Sequence, residues 1–139
     1  MCGNQERSDE FKLKKLNIQN PDYTFYEALK NDKSFFDEFV KEIRQAGDKT
    51  SLAAIFNLMA RLRKSSMLPY KLFHRIGPNN KGDREDIYEF KKNNLRVYVA
   101  LLPNDVVVLL GGFKKNQDGD IEKVFRHFNQ FKVRQDGTD

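Results

Sequence analysis

The residues of this sequence best suited to chemistry are cations at strand and turn spacing, and the chemistry they suit is contact with a polyanion. In the alternating segment Leu95 to Leu102, Val97, Val99 and Leu101 fall on one face and Arg96, Tyr98 and Ala100 on the other. With the valine face packed on helices, Arg96 points to an open surface. Lys91 ends the preceding segment and, across the turn Asn93-Asn94, comes close to Arg96. Phe113-Lys114-Lys115-Asn116-Gln117 is a basic, polar turn directly after the apolar run Val106 to Leu110. Imidazole can come only from His74 and His127. His127 lies two positions from either Phe125 or Asn129, off the apolar stripe of its helix, and so can face a groove. His74, near Tyr70 and Phe73, reads as structural or solvent-facing.

Charge agrees with a polyanionic partner. The chain has 139 residues, a formal net charge of +5 and a pI near 9.3. The basic character belongs to the second half: residues 61 to 134 carry 16 Lys/Arg against 8 Asp/Glu, residues 1 to 60 carry 9 against 10. A basic face that serves only solubility is the competing explanation of that charge. A single cysteine, Cys2, excludes an intrachain disulfide, a Cys-only zinc site and a Cys-x-x-Cys redox motif. The longest apolar run is far below the ~20 residues of a bilayer crossing, and no signal segment opens the chain, so a soluble, cytoplasmic protein is expected. Cys2-Gly3-Asn4 also fits the mature start of a bacterial lipoprotein, but nothing downstream supports that reading. A cysteine-initiated glutamine amidotransferase is rejected because the chain is too short for its two-sheet domain.

The elements that must position these residues follow from periodicity. Residues 1–10 read as a disordered leader, 11–134 as one domain and 135–139 as a polar tail. Phe11 to Ile18 predicts an edge strand, its lysines suiting an edge. Thr24 with Glu27 predicts the capping box of a short helix reaching Lys30. Ser34 and Asp37 start a second helix, with Phe36, Phe39, Val40 and Ile43 on one face and Ala46-Gly47 closing it. Leu52, Ile55, Phe56, Met59 and Leu62 mark the next. Strands follow over 69–76, 86–91, 95–102 and 106–110, the last ended by Gly111-Gly112. A helix capped by Asp118 or Asp120 closes the domain, with Ile121, Val124, Phe125, Phe128 and Phe131 as its stripe. The expected class is α+β: an N-terminal helical hairpin packed on a mainly antiparallel sheet of four to five strands, with a C-terminal helix.

The series Ile87-Tyr88-Glu89-Phe90-Lys91, Leu95-Arg96-Val97-Tyr98, and Gly112-Phe113-Lys114-Lys115-Asn116-Gln117 before Asp120-Ile121-Glu122 resembles the RelE/HigB superfamily of toxin-antitoxin toxins, in its phage-derived HigB-like branch. The resemblance covers about 80 residues, Leu52 to Phe131. It implies a microbial-ribonuclease-like fold that cleaves mRNA, usually on the ribosome, with no cofactor and no metal, held in check by a cognate antitoxin. In such a reaction the 2′-OH loses its proton and attacks phosphorus, the phosphorane charge is stabilised, and the leaving 5′-oxygen is protonated. The resemblance assigns the scissile phosphate to Arg96 and a second phosphate contact or proton transfer to Lys91. RNA contact falls to Lys114 and Lys115, and the last helix offers Arg126 and His127, the latter for proton transfer. Tyr98, beside Arg96 on the expected open face, is a further RNA contact. Asn116 and Leu95 depart from the family's usual threonine and tyrosine. The alternatives are a gyrase-poisoning toxin of the ParE branch and an inactive RNA- or protein-binding member.

Overall fold

The computed structural model describes residues 9–76 and 87–136, with side chains through residue 130. The leader residues 1–8, the turn-rich stretch 77–86 and the last residues of the tail lie outside the described residues.

Phe11–Lys15 forms strand β1 and Thr24–Lys30 strand β2. The helix expected over Thr24 to Lys30 is therefore a strand. Its local sequence favours a helix, but β2 is paired on both sides, antiparallel to β1 and parallel to a strand about 80 residues later, and such pairing overrides weak propensity. The residues that suggest a capping box have other partners: the Thr24 amide donates to the Asn104 carbonyl, and the buried Glu27 carboxylate accepts from Ser34 Oγ.

Helix α1, Phe35–Ala46, begins where Ser34 accepts from the Asp37 amide and ends at Gly47, whose φ of 80° is a left-handed cap. Helix α2, Lys49–Arg61, is capped by Asp48, which accepts from the Ser51 amide. Strands β3 (Phe73–Arg75), β4 (Ile87–Lys92), β5 (Leu95–Leu101) and β6 (Asp105–Phe113) follow. A single 3-10 turn, Lys114–Asn116, leads into helix α3, Gln117–Asp136.

The strands form one six-stranded sheet in the order β1-β2-β6-β5-β4-β3. The expected arrangement is overturned in two respects. The helical hairpin is not N-terminal, because two strands precede it. The sheet has six strands and is mixed, because β2 runs parallel to β6. The helices cover both faces. Phe36, Phe39, Val40 and Ile43 of α1 and Leu52, Ile55, Leu58 and Met59 of α2 pack with Phe90, Val97, Val99, Val106 and Val108 on one side. Val124 and Phe125 of α3 pack with Ile87, Tyr98, Ala100, Val107 and Leu109 on the other. An apolar stripe says that a helix must be covered, not which face of a sheet covers it.

Gly111-Gly112 does not end β6. It lets both layers press on the strand: a Cβ at Gly111 would lie 2.1 Å from Phe39 Cδ2 of α1, and one at Gly112 2.0 Å from Asp120 Oδ2 of α3. No helix among the described residues is long and apolar enough to cross a membrane.

Candidate nucleic-acid interface

The two-residue turn Asn93-Asn94, with Asn93 at φ 55°, sets the β4–β5 register. Lys92 pairs with Leu95, Lys91 with Arg96, Glu89 with Tyr98 and Ile87 with Ala100. On the other side of β5, Leu95 pairs with Phe113 and Arg96 with Gly112. The 3-10 turn is thereby fastened to the hairpin tip, since the Lys114 amide donates to the Asn94 carbonyl at 2.9 Å. Lys91 and Lys92 from the tip and Lys114 and Lys115 from the turn meet at one end of the sheet. None of the four makes an ion pair with another described residue. Lys114 and Lys115 are exposed, Lys91 and Lys92 half-buried. Asn93 also donates to Ser51 Oγ, which brings the start of α2, with exposed Lys49, to the same end.

Three of the other basic residues have local partners. Arg63 donates to the Ala60 and Leu62 carbonyls, and Lys64 to Asn104 Oδ1. Lys12 on the edge strand β1 lies 3.6 Å from Asp32. A crevice between α1 and α3 beside β6 is lined by Glu38, Glu42 and Asp120 together with Lys123, a mixed lining that disfavours a phosphate backbone.

Arg96 is the first correction to the expected site. It does not face an open surface: it is 6% exposed, on the face that α3 covers. Its Nη1 donates to the carbonyls of Asn93 (3.0 Å) and Leu95 (2.8 Å), bracing the turn from beneath. Tyr98 is fully buried beside it, so its ring has no face open to RNA in this conformation. His127 is the second correction. It sits edge-on to Phe35 with ring centroids 5.0 Å apart, and near Phe11, and neither ring nitrogen has a hydrogen-bond partner among the described residues. Periodicity places it off the stripe, but Phe11 and Phe35 widen the buried arc of α3 around it. Arg126 is exposed on α3. The structure brings together Lys91, Arg96, Lys114 and Lys115, and leaves His127 and Arg126 apart from them.

Burial, with Lys30 and Lys123 nearby, lowers the His127 pKa from 6.5 to about 4. The unfolded chain then binds the proton first as pH falls, so stability is unaffected above pH 6.5 and is lost progressively from there to about pH 4. A shift of that size is about 3 kcal/mol. His127→Phe is expected to remove most of the loss between pH 6.5 and 4, measured by urea unfolding at stepped pH.

A cluster the sequence did not single out lies under the start of α3. Glu89, 0% exposed, holds its Oε1 3.4 Å from His74 Nε2 and accepts at Oε2 from Gln117 Nε2 at 2.8 Å. The Tyr98 hydroxyl lies among Glu89, Asp120 and Arg96; burial first, then the two carboxylates, pushes its pKa well above the ordinary phenol range. Burial also raises the Asp120 pKa. Arg96 Nε has no hydrogen-bond partner among the described residues, a costly state for a buried polar atom. The hairpin register was the available signal: once Asn93-Asn94 is the turn, Glu89 must oppose Tyr98.

No family model, no curated protein and no solved structure matches this chain. The functional reading therefore rests on the residues themselves. Among the described residues there is no cluster of three or more His, Cys, Asp or Glu placed to hold a metal ion.

Proposed function

We propose that this protein is a toxin-type endoribonuclease that grips mRNA through the lysine end of its sheet, acts on the translating ribosome and is neutralised by an antitoxin with an acidic segment over that end. The observation that supports this reading is the convergence of Lys91, Lys92, Lys114 and Lys115, drawn from two separate segments and without an ion pair to another described residue. Cations so placed suit both the backbone of a single strand and the negative charge that develops on phosphorus. Lys91 shares its strand face with Glu89, whose carboxylate meets His74, so the groups that can move a proton near a bound phosphate are His74 and Glu89, not His127. Arg96 takes the part of a brace for the turn that carries the lysines.

The burial of Arg96 and Glu89 favours a second reading, an RNA-binding inhibitor that does not cut. Primer extension on a defined mRNA in a purified translation system, with and without ribosomes, separates the two. Cleavage by the wild-type chain that is lost in Lys114→Glu/Lys115→Glu is expected. Intact mRNA with both proteins, together with inhibited translation by the wild type alone, selects the binding reading.

A further inference from the structure

At the same end of the sheet stands an aromatic ring that the lysines do not account for. Tyr70 is 74% exposed. One of its faces stacks on the His74 imidazole, with centroids 4.4 Å apart and planes 19° from parallel; the high exposure leaves the opposite face to solvent. His74 is itself held, its Nε2 3.4 Å from Glu89 Oε1 and its Nδ1 3.3 Å from the Tyr70 carbonyl. The backbone is fixed as well: the amides of Leu72 and Phe73 both donate to the Pro69 carbonyl. An open aromatic face oriented in advance by a stacked partner loses little conformational freedom when something lies on it.

Its place in the sheet identifies the occupant. β3 is antiparallel to β4, so the residues before Phe73 lie beside the end of β4, and the Lys91 amide donates to the Leu72 carbonyl at 2.8 Å. Tyr70 and the exposed Lys71 thus continue the rim formed by Lys91, Lys92, Lys114 and Lys115. A row of cations ending in an exposed ring is the pattern by which a single strand is held, its backbone on the charges and a base on the ring.

We propose that the outer face of Tyr70 is a nucleobase subsite, on which one base of a single-stranded RNA stacks while its backbone runs along the lysine rim. This rests on the RNA-binding reading above. It requires no sequence preference, because every base has a π-face.

The test compares two probes, a short oligoadenylate and inorganic polyphosphate, which has the charge without the bases. Tyr70→Ala in the full chain is expected to weaken oligoadenylate binding by about 5- to 100-fold and to leave polyphosphate binding unchanged, while Tyr70→Phe binds both as the wild type does. Equal losses for both probes in Tyr70→Ala would overturn the subsite, since the ring would then act through the fold or the charges. Unchanged oligoadenylate binding in Tyr70→Ala, with binding still lost in Lys114→Glu/Lys115→Glu, would overturn the subsite and leave the RNA reading standing. A wild-type chain that binds no oligoadenylate would overturn both.

Discussion

Replacing Lys91, Lys92, Lys114 and Lys115 together with glutamine is expected to remove most of the protein's affinity for single-stranded RNA while leaving its thermal unfolding close to that of the wild type. These side chains are exposed or half-buried, and none forms an ion pair with another described residue, so the fold does not draw on their charge. Their effect on binding comes from counterion release. Each phosphate neutralised on a single strand contributes about 0.7 to the slope of log affinity against log salt concentration, so four such contacts make the slope about 2.8 steeper, or about a 50-fold loss of affinity between 50 and 200 mM salt. The substituted protein should lack that part of the slope. Isothermal titration or fluorescence anisotropy at stepped salt measures it, and an unchanged slope would place the RNA elsewhere.

The second large effect is on stability. Arg96→Ala is expected to destabilise the protein by roughly 2–4 kcal/mol, because it removes a buried charged donor to two carbonyls and the packing of its stem at once. At this chain length that is a fall in Tm of about 8–15 °C. The effect should appear in calorimetry without any RNA present, and any loss of activity should follow the loss of folded protein. An Arg96→Ala protein that melts like the wild type and yet fails to cut RNA would return Arg96 to a catalytic role.

The contrast between Lys91 and Arg96 shows what was legible in the sequence. Their pairing across the hairpin follows from one turn and period-two alternation, and the structure has it. The helices over 35–46 and 49–61 were legible for a similar reason: the Ser34 cap of the first and the apolar stripes of both are local signals. What failed was non-local. Tyr26 to Lys30 is composed of residues that favour a helix, and only its parallel pairing with β6 makes it a strand. The side of the sheet that α3 takes is likewise a tertiary fact, and the burial of Arg96, Tyr98 and Glu89 follows from it. His127 was misplaced because helical phase predicts exposure only against a flat neighbour, and Phe11 and Phe35 come around the helix. The rim was half legible: its lysines are plain in the sequence, but the joining of the 3-10 turn to the hairpin tip and of Tyr70 to the end of β4 needed the sheet order.

Backbone hydrogen exchange of the full chain, with and without a saturating single-stranded RNA, tests the central claim most directly because it reports where the RNA lies. The account predicts slowed exchange at Tyr70 to Leu72, Lys91 to Leu95 and Phe113 to Gln117, the three segments that meet at one end of the sheet. Slowing confined to β1, with its lysines Lys12, Lys14 and Lys15 on the opposite edge of the sheet, would contradict it.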